Sequence, residues 1–208
     1  MKEYHKIETV FERDPDTKYR TLKEGVFSNP EFEYLQYNEW IWTEKVNGTN
    51  IRVIWENNEI SFKGKTDSSQ MSTKLFNRLT EIFTWANFMK LYQDQDMCLY
   101  GEGYGAKIEK GGGNYRQDQD FVLFDVKIDM WWLRRESVEN IAQLLSLNVV
   151  PIIGSGNLNE MVDQAKSGFN SRWGNFLAEG IVARPKIEMR SRSDKRIITK
   201  IKTKDWED

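Results

Sequence analysis

The residue of this chain best placed to act as a nucleophile is a lysine in a short polar segment. Lys45 lies in residues 44–50, which read EKVNGTN. Asn-Gly between two strand-like runs is typical of a hairpin turn, because both residues tolerate positive φ. We predict that strands 39–45 and 50–55 pair around Asn47 and Gly48, with the Lys45 amine facing a pocket. A hairpin without any function is the alternative left open by this segment alone.

Two lysines near the end of the chain are spaced for a shared strand face. In the sequence IITKIK, a side-chain period of two places Lys200 and Lys202 on one face and Ile197, Thr199 and Ile201 on the other. The two ammonium groups would stand ~6.6 Å apart along the strand, which suits successive phosphates of a polyphosphate. The alternative is an amphipathic edge strand whose lysines discourage pairing between sheets.

Two carboxylates occupy unusual surroundings. Glu179 lies in the otherwise apolar run AEGIVAR, where a half-buried charge needs a cation or a metal. A structural ion pair is the alternative. Glu102 lies in YGEGYG, whose glycines would let a ligand approach the backbone closely. This glycine spacing fits neither a dinucleotide-binding fingerprint nor a P-loop.

Composition excludes several kinds of chemistry. His5 is the only histidine, and we expect it on a frayed N-terminus, so a Ser-His-Asp relay and multi-histidine zinc sites are excluded. Cys98 is the only cysteine, so no internal disulfide can form. Its position in MCLY predicts a small buried strand residue and not a reactive thiol.

Charge is unevenly distributed along the chain. The formal net charge is −2, yet residues 184–204 hold nine basic residues against Glu188 and Asp194. This basic segment is typical of a phosphate-facing surface, although an ordinary solvated face is the alternative. No apolar run is long enough to cross a bilayer and no signal peptide is recognisable, which predicts a cytoplasmic protein without membrane contact.

The elements that position these residues indicate one α+β domain over residues 1–208, with mainly antiparallel sheets. Strands are predicted at 39–45, 50–55, 59–63, 97–101, 121–128, 177–184 and 196–202. Helices are predicted at 69–89, 136–147 and 158–169. The Gly-rich segment 110–115 is predicted to be a flexible loop. For Trp131 and Trp132 core packing is expected, although either ring could be exposed.

Taken in order, these segments resemble the ATP-dependent RNA ligases of the covalent nucleotidyltransferase superfamily, over most of the chain from residue 40 onwards. The resemblance implies the adenylation domain of those ligases. Its first motif nominates Lys45 as the nucleophile that attacks the α-phosphate of ATP, with Glu44, Asn47 and Gly48 in the nucleotide site. Many relatives carry an acidic residue or histidine where Asn47 stands, and an amide can still hydrogen-bond water.

Further motifs match residue by residue. Asn50 resembles the asparagine of the branch that seals nicked duplex RNA, a bacterial and phage type, whereas DNA ligases and capping enzymes typically carry arginine. Lys65 stands in FKGKTD where the family usually has an arginine that contacts a 5′-phosphate, and it lacks the planar fork of that residue. Glu102 matches a residue that contacts the ribose or the hydration shell of a metal. Phe124 matches the aromatic that stacks on adenine.

The last motifs concern metal and phosphates. Glu179 matches the carboxylate associated with the catalytic metal, and Lys200 with Lys202 matches the final phosphate-binding pair. Mg²⁺ or Mn²⁺ is expected at Glu179 and Glu102, largely through water. A lysine amine is mostly protonated at neutral pH, and neighbouring cations would favour its neutral, reactive form.

The resemblance therefore implies an RNA ligase that joins a 3′-hydroxyl to a 5′-phosphate through lysyl-AMP and an adenylylated RNA end. The expected role is RNA repair on nicked or bridged duplexes. We expect no C-terminal OB-fold, with the basic segment and exposed aromatics holding RNA unless an accessory clamp protein or self-association contributes. The alternatives are a DNA-joining or capping nucleotidyltransferase, and a catalytically silent nucleotide- or RNA-binding module.

Overall fold

A computed structural model describes residues 3–91 and 95–206. The strands are β1 (Glu8–Thr9), β2 (Phe11–Arg13), β3 (Leu22–Phe27), β4 (Trp40–Glu44), β5 (Thr49–Glu56), β6 (Glu59–Lys63), β7 (Met97–Gly105), β8 (Gln119–Ile128), β9 (Trp131–Trp132), β10 (Asn148–Val149), β11 (Ile152–Gly156), β12 (Gly180–Pro185) and β13 (Thr199–Lys202). The α-helices are α1 (Pro30–Tyr34), α2 (Thr73–Ile82), α3 (Trp85–Met89), α4 (Arg135–Leu144) and α5 (Leu158–Ser167). Short 3₁₀ turns occupy Pro15–Thr17, Gly112–Asn114 and Thr203–Trp206.

The chain contacts define two compact units. The first unit comprises Met1–His5 with Asn47–Val150, and the second comprises Lys6–Val46 with Pro151–Asp208. Each unit has its own sheet and its own apolar core. That residues 1–208 act as one adenylation domain stays a prediction.

The first unit is built on one large sheet with the strand order β10-β8-β7-β5-β6, and β9 pairs with β8. All neighbours are antiparallel except β10 and β8. One face of this sheet packs against α2, α3 and α4, where the rings of Trp55 and Phe88 stack 5.3 Å apart. The other face carries a small cluster formed by Ile54, Cys98 and Tyr100.

The predicted helix 69–89 is two helices in the structure. Ser72 caps α2, since its hydroxyl accepts a hydrogen bond from the backbone N–H of Leu75. A second cap follows within the predicted span, where the hydroxyl of Thr84 accepts from the N–H of Asn87 and starts α3. A threonine that bonds to the backbone in this way favours a helix start over a helix interior.

The second unit is built on a five-stranded sheet with the order β1-β13-β12-β4-β11, beside the β2–β3 hairpin. Only the short pairing of β1 with β13 is parallel in that sheet. Helix α5 packs its apolar side, including Leu158 and Met161, into the core with Trp40 and Ile181. Both units are thus mixed and mainly antiparallel, which confirms the predicted α+β class.

The predicted hairpin between residues 39–45 and 50–55 is wrong. β4 pairs with β11 and β12, whereas β5 pairs with β6 and β7. Neither Asn47 nor Gly48 has a positive φ, so this segment is not a hairpin turn. Glycine is required at position 48 for lack of space, because a Cβ there would lie 2.2 Å from the backbone oxygen of Gly103.

The remaining helices and strands lie close to their predicted places, with two informative differences. The predicted strand 177–184 begins only at Gly180, because residues 170–177 form a separate hairpin closed by a bridge between Asn170 and Leu177. Trp131 is 73% exposed, which settles the open choice for that ring. Along residues 3–91 and 95–206, no helix is both long and apolar enough to cross a lipid bilayer.

Candidate active site

The centre of the candidate site is a carboxylate shared by two lysines of the second unit. The Nζ of Lys45 lies 2.5 Å from Oε2 of Glu179, and the Nζ of Lys202 lies 2.7 Å from Oε1. Between 13% and 26% of each side chain is exposed, so the cluster is shielded from bulk water but reachable. The sequence prediction that Glu179 needs a cationic partner is confirmed, and it has two.

Strand register brings these three residues together. Gly180 lies opposite Lys202 in the pairing of β12 with β13, and the backbone N–H of Lys45 donates to the carbonyl of Gly180 at 2.9 Å. The carbonyl of Glu179 accepts from the N–H of Thr203 at 3.0 Å. Each charged side chain is therefore fixed by backbone bonds at or beside its own position.

The predicted face of the last strand is confirmed. Thr199 and Ile201 are fully buried, whereas Lys200 and Lys202 are half-buried on the opposite face. The alternative of an edge strand is wrong, since β13 lies between β1 and β12. Lys200 also uses its carbonyl to accept from the N–H of Val10 at 3.1 Å.

Glu44 points away from this cluster, as the alternation of side chains along β4 requires. Its side chain is buried, and its two carboxylate oxygens accept from the Ser171 hydroxyl at 2.5 Å and from the Arg172 N–H at 2.8 Å. Burial raises the pKa of the Glu44 carboxyl, against the lowering effect of the bonds from Arg172 and Ser171. The carboxylate thus holds the segment of Ser171 and Arg172, and a nucleotide contact by Glu44 stays a prediction.

In the first unit, Asn47, two positions after Lys45, is held by the Gly-rich loop. The backbone N–H of Asn47 donates to the Tyr115 hydroxyl at 3.2 Å, and its side-chain amide donates to the carbonyl of Lys110 at 3.1 Å. Within the loop, a Cβ at Gly112 would lie 2.1 Å from the backbone oxygen of Gly105. The loop that the sequence predicts to be flexible is therefore packed tightly and bonded to Asn47.

Asn50 and Glu102 lie side by side on adjacent strands of the first unit, as Cα partners of β5 and β7. The side-chain oxygen of Asn50 is buried and accepts no hydrogen bond from any described residue. Buried polar atoms nearly always have partners, so this one fits a site that a ligand or water completes. The ligand role of Asn50 stays a prediction.

Lys65 lies exposed in the loop after β6, and a buried arginine holds that loop. The Arg52 side chain is 1% exposed, and its Nε donates to the Gly64 carbonyl at 3.0 Å while Nη2 donates to Asp67 Oδ1 at 2.6 Å. This bond to Arg52 lowers the pKa of Asp67. Arg52 thereby positions the residues on either side of Lys65.

Phe124 lies half-buried on the open face of the first sheet, beside the N-terminal residues. The Tyr4 ring meets the Phe124 ring edge-on, 5.1 Å between centroids, and the Tyr4 hydroxyl donates to Asp125 Oδ2 at 2.6 Å. His5 stacks on Tyr4 at 4.5 Å. The expectation of a frayed terminus at His5 is wrong, because this aromatic cluster holds it.

For a divalent metal, the donors present suit a mainly hydrated ion. Among residues 3–91 and 95–206, no three His, Cys, Asp or Glu side chains are grouped as a metal cage. Glu179 offers one carboxylate beside two cations, and Mg²⁺ typically binds one or two carboxylates together with water and substrate phosphates. The predicted ligands Glu179 and Glu102 belong to different units, and their role in binding a metal stays a prediction.

Four cations of the basic segment of the second unit are paired with carboxylates. Arg184 and Arg196 both pair with Glu188, and Arg190 pairs with Asp194. Lys186 pairs with Glu39 at 2.9 Å. Such pairing favours the solvated-face alternative over a phosphate-facing surface for these four cations.

Four residues of the site escaped the sequence analysis. Tyr115 lies in the Gly-rich segment that the sequence analysis described, but nothing in the sequence indicated that its hydroxyl binds the Asn47 N–H. Arg52, Ser171 and Tyr4 left no local signal, since each acts on a residue brought near by the fold.

Known proteins match this chain in sequence pattern and in fold. A family model described as RNA ligase matches residues 38–202. The Naegleria gruberi RNA ligase with PPi superposes with a TM-score of 0.70 at 17% identity, covering 97% of this chain and 56% of that one. A mutant of the same ligase with ATP and Mn gives 0.70 at 18% identity, covering 97% and 56%. The chain thus spans a little over half the length of these structures.

Proposed function

We propose, because this chain belongs to the RNA ligase family, that it joins RNA ends through an AMP bound covalently to Lys45. The observation that carries the proposal is the position of the Lys45 amine, 2.5 Å from Glu179 and in a cluster that includes Lys202. Two ammonium groups against one carboxylate leave the cluster net positive, which favours binding of a polyphosphate.

In the first step, the lone pair of the neutral Lys45 Nζ forms a bond to the α-phosphorus of ATP. The bond from that phosphorus to the bridging oxygen of pyrophosphate breaks, and pyrophosphate leaves with the electron pair. Glu179 Oε2 already accepts a hydrogen bond from this amine, so it is the nearest acceptor for the proton. Lys202 and Lys200 stabilise the negative charge that develops on the phosphates.

A divalent ion would be held by Glu179, with Glu102 as the second predicted ligand. It would supply charge neutralisation at the phosphates of ATP. Solved Naegleria gruberi structures that contain ATP or AMP together with Mn are the external support for this cofactor pair. In the first unit, Glu102 is also the residue proposed to contact the ribose or the hydration shell of the metal, and Phe124 is proposed to stack on adenine. Asn50 is proposed as a further residue of the nucleotide site.

In the later steps, an RNA 5′-phosphate takes AMP from Lys45 and a 3′-hydroxyl then displaces AMP to close the strand. A nicked or bridged RNA duplex is the proposed substrate, with Lys65 as the proposed contact to the 5′-phosphate. An RNA repair role, a cytoplasmic location and an accessory clamp or self-association stay predictions.

Intact-mass analysis after incubation with ATP and Mg²⁺ tests the first step. The expected result is an increase by one AMP that maps to Lys45 on peptide analysis and is absent in Lys45→Ala. An unchanged wild-type mass, or AMP on Lys45→Ala, would remove the covalent role. The same assay separates an active enzyme from a silent nucleotide-binding module.

Sealing assays test the substrate. Nicked duplexes whose 3′-hydroxyl strand is RNA should be joined faster than the same duplexes in DNA. Preferential joining of DNA, or transfer of GMP to an RNA end, would support the DNA-joining or capping alternative.

A further inference from the structure

The hairpin of residues 170–177 in the second unit is rigid and leads directly into Glu179. Its ends are bridged at Asn170 and Leu177, and the Ser171 N–H donates to the Phe176 carbonyl at 2.8 Å. The Ser171 hydroxyl accepts from the Trp173 N–H at 3.1 Å while it donates to the buried Glu44. A tight turn with these bonds holds one conformation.

Glu44 anchors this hairpin to the strand that carries the nucleophile. Its carboxylate takes one hydrogen bond from the Ser171 side chain and one from the Arg172 backbone. Glu44 and Lys45 are consecutive, so the hairpin is fixed to the backbone one residue from the reactive amine. Both bonds to Glu44 use the Ser171 hydroxyl and the Arg172 backbone, and neither uses the nitrogens of the Arg172 guanidinium.

The outer side of the hairpin combines a cation with apolar and aromatic groups. Arg172 is exposed and makes no ion pair with any described residue, Leu177 is 57% exposed, and Trp173 and Phe176 are half-buried. Arginine with aromatic side chains is the combination that binds single-stranded nucleic acid, through phosphate contacts and base stacking. Arg172 differs in this respect from Arg184, Lys186, Arg190 and Arg196 of the basic segment, which pair with carboxylates.

We propose that the hairpin 170–177 is a contact surface for the RNA strand, with Arg172 on a backbone phosphate and Trp173 against a terminal base that fraying at the nick unpairs. The proposal rests on the proposed function for its ligand, since an RNA ligase presents an RNA end to Lys45. Charge complementarity selects the occupant, because an unpaired guanidinium on a rigid support suits a phosphodiester. Glu44 acts as a positioning residue, because it fixes this surface relative to Lys45.

The test uses the full chain and a nicked RNA duplex carrying a pre-adenylylated 5′-phosphate, which bypasses the reaction with ATP. Arg172→Ala should weaken binding about tenfold at moderate salt and lower the slope of log K against log salt by about one. Trp173→Ala should weaken binding similarly, whereas Trp173→Phe keeps a stacking surface and should retain most of it. Lys74→Ala is the matched control, since Lys74 is an exposed cation of the first unit that forms no ion pair with the residues the structure describes.

Binding and sealing by Arg172→Ala that equal those of Lys74→Ala would overturn the proposal. So would an equal loss of AMP uptake from ATP alone, because the hairpin would then serve the nucleotide or the fold. RNA binding is measured without ATP, so the outcome is separate from the proposed function. A wild type that binds nicked RNA through Arg172 but takes up no AMP would keep the hairpin surface and refute the covalent step.

Discussion

Lys45 and Glu179, which lie 134 positions apart in sequence, form the closest charged contact of the candidate site, 2.5 Å between Nζ and Oε2. The other carboxylate oxygen faces the Nζ of Lys202 at 2.7 Å. One anion therefore orients two cations, and its loss would leave the two ammonium groups without their shared partner.

Replacing this carboxylate tests its positioning role. Glu179→Gln should lower AMP uptake by Lys45 about 100-fold, because a nucleophile displaced by about 1 Å loses roughly that factor. The loss of two charge-assisted hydrogen bonds should also lower the free energy of unfolding by about 1–3 kcal/mol. Mass analysis and urea unfolding measure the two effects.

Glu188→Gln is the matched control for that change. Glu188 also bridges two cations of the second unit, Arg184 and Arg196, but its side chain is 40% exposed. AMP uptake should stay at the wild-type level. A similar loss in both variants would show that removal of any bridging carboxylate, and not the orientation of Lys45, causes the defect.

The Tyr115 hydroxyl is expected to position the backbone just after the nucleophile. Tyr115→Phe removes the acceptor for the Asn47 N–H and should slow AMP uptake about threefold to tenfold, in line with one hydrogen bond of about 1 kcal/mol. Single-turnover rates at saturating ATP isolate this effect from nucleotide affinity. Tyr37→Phe, at a ring that is 78% exposed, should behave as the wild type; equal rates in both variants would contradict the role.

The loop around Lys65 should depend on Arg52. Arg52→Met leaves the buried Gly64 carbonyl without its donor and should lower the free energy of unfolding by about 1–3 kcal/mol. Trypsin should then cut faster after the exposed Lys65. Asp67→Asn keeps the bond from Arg52 to the Gly64 carbonyl and should change stability and trypsin cleavage less than Arg52→Met. Faster cleavage of Asp67→Asn than of Arg52→Met would show that the ion pair, and not the bond to the carbonyl, holds the loop.

Cys98 provides a test of burial that depends on pH. Its side chain is fully buried, and burial raises the pKa of the thiol from 9.0 to about 11. Between these values the unfolded thiol ionises while the native one does not, so the native state loses stability as pH rises, by about 1 kcal/mol per pH unit. In Cys98→Ala, the free energy of unfolding measured with urea should fall less steeply between pH 9 and 11 than in the wild type. Equal slopes in the two proteins would refute the raised pKa of the thiol.

Local patterns predicted the residues that lie on regular strands. Lys200 and Lys202 are two positions apart on a strand. Their side chains therefore share a face in any fold that buries the opposite face of that strand. A half-buried Glu179 requires a cationic partner in any fold, because burying an unpaired charge is costly. That Lys45 and Lys202 are its partners became visible only in the structure, since the family resemblance assigned Glu179 to a metal.

The errors have equally specific causes. Asn47 and Gly48 have the composition of a hairpin turn, but the pairing partners of β4 and β5 come from distant segments and override it. Glu44 was assigned with its neighbour Lys45, although strand alternation sends the two side chains to opposite faces. Ser171, 127 positions from Glu44, could be found only once the fold joined them.

The close approach at Gly48 restricts how this protein can evolve. The atom that an added methyl group would strike belongs to the main chain of Gly103, 2.2 Å away. A clash between two side chains can be relieved by trimming one of them, but a peptide oxygen is the same in every amino acid. Genetic selection for suppressors of Gly48→Ala should therefore recover true revertants to glycine and no compensating replacement at position 103.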